Sequence, residues 1–277
     1  MKHIFDIEIS SRCNKICSVC PRHAFARKQT IMSTQTFDAL LQWLPTECHV
    51  MFAGFGEPLL NNEIFGYIRK IKSIKPQISI SVYTNGILLN NNTIKKLLDS
   101  GLDWIQLSIT DEQGFVIAQK ALEFLNSTNQ SDILRINVLY RDDNDFCQLQ
   151  EKVSQLFPSA TKIFHFKKIH NRGGFLYDYD YREELKTCGT FFMDTFIDAE
   201  GNIQICSNDI NGINKIANIQ EMSFAELIEM KKKFLGNTQI SLLCKKCSDE
   251  YRVLHFKEVG GFLSLTQSVS LFNLHTN

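Results

Sequence analysis

Seven of the nine cysteines in this 277-residue chain fall into two sets. Cys13, Cys17 and Cys20 stand in "SSRCNKICSVC" at spacing C-x₃-C-x₂-C, and Cys188, Cys206, Cys244 and Cys247 form a wider pattern. Thiolates bind soft metals, and clustered cysteines in a chain with no secretion signal point to metal or redox chemistry more than to disulfides. The trio has one thiol too many for a disulfide and one too few for a closed four-thiolate site. Three protein ligands with an open fourth position let an outside molecule reach the metal. Iron–sulfur clusters are normally held by four thiolates, so deleting one frees an iron. The second set reads C-x₁₂-G-x₄-C, then C-x₂-C, with Gly201 as its glycine. Four thiolates can close either a zinc site or a [4Fe–4S] cluster. Cys48 and Cys147 stand apart and read as small buried hydrophobes.

The trio directly follows IFDIEI (4–9), which reads as a strand. Strand and helix signals then alternate. Helices are expected over 36–44, 61–75, 93–101, 119–125 and 145–157. Strands are expected over 49–52, 78–83, 104–109, 133–140 and 161–167. Six strand signals separated by five helices imply a parallel sheet with right-handed crossovers. Six units are fewer than a closed eight-fold barrel requires. The expectation is therefore an α/β fold, a partial (β/α)6 TIM-like barrel over residues 1–170. A flat doubly wound sheet is the alternative, but no Gly-rich phosphate turn follows the first strand. In barrel folds chemistry sits at the C-terminal ends of strands, where the trio falls. Residues 171–250 change rhythm: 191–206 reads as a β-hairpin, and 223–235 as a helix opened by a capping box of Ser223 and Glu226. Residues 251–277 form a tail with no functional signal.

Composition narrows the classes further. Hydrophobic residues make up 44% and charged residues 22%, an ordinary globular mix. The formal net charge is zero, so nothing argues for a nucleic acid or an anionic membrane as partner. Asp6 and Glu8 break the apolar run of the N-terminus, which is a strand and not a signal peptide. No stretch approaches the ~18–20 apolar residues of a membrane span. A cytoplasmic protein is expected.

These motifs resemble the radical S-adenosylmethionine (radical SAM) superfamily, whose C-x₃-C-x₂-C hallmark is matched at Cys13, Cys17 and Cys20. One departure is Val19, where the family usually has an aromatic residue. "FAGFGEP" (52–58), at the end of the second strand, matches the family's Gly-Gly-Glu-Pro-like motif. The resemblance implies a [4Fe–4S] cluster whose open iron is chelated by S-adenosyl-L-methionine. It implies that Gly54 and Gly56 let the backbone approach that cofactor and that Glu57 accepts a hydrogen bond from its ammonium group. Thr84, Asn85, Ser108 and Thr110, at strand ends, and Asn137, on the fifth strand, match positions the family uses for the ribose and carboxylate. An external one-electron reductant such as flavodoxin or ferredoxin is implied as well.

Behind such a core, the second cysteine set resembles the auxiliary-cluster modules called SPASM and Twitch. Its ending at Cys247 fits Twitch, with a second [4Fe–4S] cluster on four protein thiolates. Module spacing is similar to that of aminocyclitol-oxidising members of the superfamily. Those carry an active-site arginine just before the first auxiliary cysteine, and Arg172 in "HNRGGF" matches it. Arginine stays protonated in proteins, so its expected role is to hold a substrate oxygen rather than to act as a base.

The resemblance thus implies a 5′-deoxyadenosyl radical that takes a hydrogen atom from a small-molecule substrate. The first expectation is oxidation of a secondary alcohol in a sugar- or aminocyclitol-like molecule, with the auxiliary cluster accepting the electron. The second is modification of a ribosomal peptide by epimerisation or cross-linking, with Cys48 or Cys147 as hydrogen donor. A first strand at residue 4 is read as leaving no leader-binding domain ahead of it. A zinc-binding interaction module is the third, and it leaves the trio and GFGEP unexplained.

Overall fold

The computed structural model describes residues 3–139, 151–153, 155–157, 162–166, 171–177, 188–233 and 241–248. Cys147, the first part of the helix expected from residue 145 and the 251–277 tail lie outside the described residues.

Six parallel strands lie side by side in chain order: β1 (Ile4–Ile7), β2 (His49–Phe52), β3 (Ser79–Thr84), β4 (Trp104–Ile109), β5 (Leu134–Leu139) and β6 (Lys162–Phe166). Helices α1 (Thr34–Trp43), α2 (Ile64–Ile74), α3 (Asn91–Asp99) and α4 (Glu112–Ser127) fill the crossovers between them. The fold is α/β with a largely parallel, open sheet. Helix α4 begins seven residues before the run expected from 119. Asp111 caps it by accepting from the Gly114 amide at 3.0 Å. A Cβ on Gly114 would stand 3.1 Å from the Ile109 Cα. Close packing on β4 therefore selects a glycine in the first turn, which weakens the local helix signal.

The two faces of the sheet differ chemically. Phe5, Ile7, Val50, Phe52, Ile80, Val82, Ile105, Leu107, Ile136 and Val138 form one face and are completely buried in the main core. The alternate positions, among them Asp6, Met51, Tyr83, Ser108 and Asn137, line a cavity on the other face. A flat sheet covered by helices on both sides needs apolar residues on both faces. A sheet curled around a polar interior does not. Low in that interior, His49 stacks on Trp104 with ring centroids 4.5 Å apart, and the Arg135 guanidinium lies 4.1 Å from the Trp104 ring.

The segment of the second cysteine set continues the same sheet. The strand expected from 191 begins at Asp194, because Gly189–Met193 form a short helix, α5. Strand β7 (Asp194–Ile197) pairs parallel with β1, in register Ile7↔Ile197. It then turns antiparallel into β8 (Asn202–Gln204), and β8 into β9 (Lys215–Asn218). The order is β6-β5-β4-β3-β2-β1-β7-β8-β9. Helix α6 (Phe224–Lys233) opens with the expected capping box: the Ser223 amide donates to Glu226 Oε2 at 2.8 Å and the Glu226 amide to Ser223 Oγ at 3.3 Å. Helix α7 (Leu242–Lys246) carries Cys244, and Cys247 caps it. No described helix is long and apolar enough to cross a membrane.

Candidate active site

A cavity of about 510 Å³ opens at the C-terminal ends of the strands. Cys13, Cys17 and Cys20 stand on its wall, on the loop leaving β1. Burial pushes the Cys17 and Cys20 thiols up from their ordinary range. Donors are nevertheless aimed at the sulfurs: Asn85 Nδ2 lies 3.7 Å from Cys13 Sγ and Thr110 Oγ1 lies 3.6 Å from Cys17 Sγ. Thiols of this kind release their protons to a cationic metal, and hydrogen bonds to sulfur tune iron–sulfur centres. An all-sulfur donor set on a cavity wall, with donors pointing at the sulfurs, fits a cluster with one open corner.

The 53–58 loop is built around Glu8. This fully buried carboxylate receives Arg27 Nη2 at 2.7 and 2.8 Å and the Phe55 amide at 2.9 Å. Gly54 has φ +97°, and a Cβ there would lie 2.7 Å from the Glu8 Cβ. A Cβ on Gly56 would lie 1.9 Å from the Ser10 carbonyl oxygen. Both glycines therefore admit close approach within the protein itself: Gly54 to the Glu8 side chain, Gly56 to the main chain leading to the cysteines. The Glu57 amide donates to the Arg12 carbonyl at 2.7 Å, and Arg22 Nη1 donates to the Ser11 and Phe55 carbonyls at 2.8 and 2.7 Å.

Glu57 is 1% exposed and lines the cavity. Its Oε1 accepts from Thr84 Oγ1 at 2.8 Å and the Leu59 amide at 3.2 Å, and its Oε2 accepts from the Asn85 amide at 2.9 Å. Burial raises its pKa and these three bonds oppose the rise. Glu57 thus ties the end of β3 to the glycine loop. Ser108 and Asn137 line the same cavity, and Asn137 accepts from Gln106 Nε2 at 2.6 Å.

Within the second cysteine set, Cys206 interacts electrostatically with the other three. Burial holds the Cys206 thiol well above its ordinary value, and charges on Cys188, Cys244 and Cys247 raise it further. Asn208 donates to it from the main chain at 3.4 Å and to Cys247 Sγ from its amide at 3.9 Å. No three His, Cys, Asp or Glu side chains among the described residues converge on a single ion. Ser207 and Ser248, next to Cys206 and Cys247, reach the wall of the cavity. Arg172 joins them there, in the loop after β6. That loop is clamped onto the C-x₂-C segment: Asn171 exchanges bonds of 2.8 Å with Ser248 and donates to the Lys246 carbonyl at 2.6 Å.

Residues 7–112 match the Radical SAM superfamily. The chain carries a radical SAM domain. A tungsten-containing aldehyde ferredoxin oxidoreductase cofactor-modifying protein of Pyrococcus furiosus is 29% identical over 112 residues, covering 39% of this chain and 31% of that protein. The chain is also 23% identical over 262 residues to an S-adenosyl-L-methionine-dependent 2-deoxy-scyllo-inosamine dehydrogenase of Niallia circulans, covering 89% of this chain and 92% of the relative. Among solved structures, BtrN in complex with AdoMet and 2-DOIA superposes with a TM-score of 0.66 at 19% identity, over 90% of this chain and 94% of that one. That likeness shows the fold. The stretch matched to the Radical SAM superfamily contains both the trio and the GFGEP loop.

Sequence reasoning passed over Asp6, Lys15 and Tyr83, which also line the cavity. Asp6 and Glu8 served only as breaks in an apolar run, although strict alternation through IFDIEI places both on one face. Cys48, by contrast, is completely buried in the core at the N-terminal end of β2, opposite the cavity mouth.

Proposed function

We propose that this protein is a radical SAM oxidoreductase that converts a secondary alcohol of a sugar- or aminocyclitol-like molecule to a ketone. Cys13, Cys17 and Cys20 would hold the catalytic [4Fe–4S] cluster, and Cys188, Cys206, Cys244 and Cys247 an auxiliary one. With S-adenosylmethionine bound, the first cluster and an external one-electron donor supply the radical chemistry that removes a substrate hydrogen atom. The cavity walls exclude water from that chemistry. The residues around the sulfurs have defined work: Glu57, Thr84 and Asn85 hold the end of β3 beside Cys13, while Gly54 and Gly56 seat the loop next to it. Arg172 lies in the same cavity, and its fixed charge suits a substrate oxygen on which negative charge develops.

The observation that supports this reading is that the cavity lined by Cys13, Cys17 and Cys20 also has Arg172, Ser207 and Ser248 on its wall, the two serines being the chain neighbours of Cys206 and Cys247. A centre with four thiolate ligands has no open iron, so it suits electron transfer better than substrate binding. Next to a cavity wall that includes Ser207 and Ser248, it suits the role of acceptor that a net oxidation requires. A peptide epimerase would instead need a hydrogen donor at the cavity, and Cys48 is buried on the other side of the sheet.

The test uses anaerobically reconstituted enzyme with 2-deoxy-scyllo-inosamine, the compound in the Niallia relative's name, as probe. Wild type should contain about eight irons per chain and form the ketone. Cys188→Ala should still cleave S-adenosylmethionine but form no ketone. Ketone at the wild-type level from that variant would refute the proposed role of the auxiliary centre.

A further inference from the structure

Oxidation of an alcohol to a ketone removes a hydrogen atom, an electron and a proton, and the proton needs an acceptor. Arg172 cannot serve, because a guanidinium is already protonated. Glu57 is committed to three protein donors. Lys15 Nζ is paired with Asp111 at 2.9 Å. Asp6 differs from all of these. It stands in the middle of β1 on the polar face of the sheet, is 9% exposed and lines the cavity. Its Oδ1 is buried and has no hydrogen-bond partner among the described residues. An unpartnered buried carboxyl oxygen is costly unless something else completes it, and a ligand in the cavity is the group available to do so.

Resting on the alcohol-oxidation reading above, we propose that Asp6 is the proton acceptor of this site. The carbinol C–H hydrogen atom leaves with the radical derived from S-adenosylmethionine. The O–H proton passes to the Asp6 carboxylate, and the remaining electron goes to a one-electron acceptor, the auxiliary iron–sulfur centre. The C–H and O–H bonds break, a C=O π bond forms, and the carbinol is oxidised by two electrons. Placement on a strand holds the carboxyl rigidly, as a group that must meet one substrate oxygen requires.

The electrostatics suit the role. Burial, and after it the carboxylates of Asp194 on β7 and Glu8 on β1, push Asp6 up to about 8, while Arg172 pulls it down. Tyr83 also faces it from β3, with its own hydroxyl raised by burial and by Asp6. A base poised near the working pH combines an adequate ionised fraction with real affinity for the proton.

The experiment compares wild type with Asp6→Asn, both cluster-loaded. Difference infrared spectra without S-adenosylmethionine or substrate should show a protonated carboxyl in wild type at neutral pH. That band should titrate away through about pH 8 and be missing from Asp6→Asn. With the aminocyclitol probe deuterated at its carbinol carbons, Asp6→Asn should still pass deuterium into 5′-deoxyadenosine while ketone falls roughly 100-fold or more. Wild-type ketone formation should rise with pH through the same midpoint, a measurement that stands even where the variant is damaged. A carboxyl titrating in the ordinary range, a flat wild-type profile, or a loss of ketone in Asp6→Asn of less than about tenfold overturns the proposal. Wild type that takes no deuterium from the probe refutes the alcohol-oxidation reading and this proposal together. Unimpaired oxidation by Asp6→Asn refutes this one alone.

Discussion

Replacing Arg27 by Met strips the cation from Glu8 while keeping a long apolar stem. Glu8 is completely buried, and its carboxylate lies 2.7 and 2.8 Å from Arg27 Nη2. Breaking a buried pair from one side costs about 3–5 kcal/mol, because the remaining charge stays desolvated. At roughly 2–4 °C per kcal/mol for a chain near this size, the melting temperature should fall by roughly 6–20 °C. The sign with pH follows from burial, which already raises the Glu8 pKa and would raise it further without Arg27. A carboxyl with a raised folded pKa keeps its proton in the folded state, so its contribution to stability declines as pH rises. The loss in Arg27→Met should therefore be largest at alkaline pH and smallest at acid pH. Thermal melts of the cluster-loaded protein at about pH 6 and about pH 9 measure it, with Glu8→Gln/Arg27→Met restoring much of the stability. Because the Phe55 amide rests on the same carboxylate at 2.9 Å, S-adenosylmethionine affinity should weaken in the single variant. A fall below about 2 °C at the alkaline pH, or equal losses at both, would show that Glu8 and Arg27 do not form the anchor described.

Two further predictions concern the same neighbourhood. Asp6→Asn should stabilise the protein at alkaline pH, because moving a carboxyl from 3.8 to about 8 costs folding roughly 6 kcal/mol once both states are ionised. The gain should vanish towards pH 4, and melts of both proteins across that range would show parallel curves if Asp6 titrated normally. Gly56→Ala should destabilise by about 3 kcal/mol or more and abolish S-adenosylmethionine binding, since its Cβ would lie 1.9 Å from the Ser10 carbonyl oxygen. Gly66→Ala, on α2 with only Glu63 Oε2 within 4 Å at 3.8 Å, should be neutral or gain up to about 1 kcal/mol. Equal melts for the two alanine variants would contradict the close approach assigned to Gly56.

The strands and helices of the first domain were legible because each has a local signature: apolar periodicity, a cap, or a glycine stop. Boundaries moved where packing outweighed that signature, as in α4, whose first turn needs Gly114 against Ile109. Strand β9, four residues long with one buried side chain, carries too little alternation to be read from sequence. The pairing of β7 with β1 leaves no trace in either segment, because backbone hydrogen bonds across some 190 residues do not depend on side-chain pattern.

The amino-acid sequence by itself determined the chemistry of the candidate ligands: three thiols at one spacing, four at another, and a glycine–glutamate loop, because residue type and local spacing are written in neighbouring residues. Only the tertiary structure decided that Ser207 and Ser248, neighbours of two cysteines of the second set, reach the cavity lined by the trio, and that Gly56 yields to the Ser10 main chain. It also decided that one buried oxygen of Asp6, a residue lining that cavity, has no partner among the described residues. Burial and partnership are sums over residues far apart in the chain, and a carboxyl on a strand becomes a proton acceptor or a mere surface charge according to what the rest of the fold packs around it.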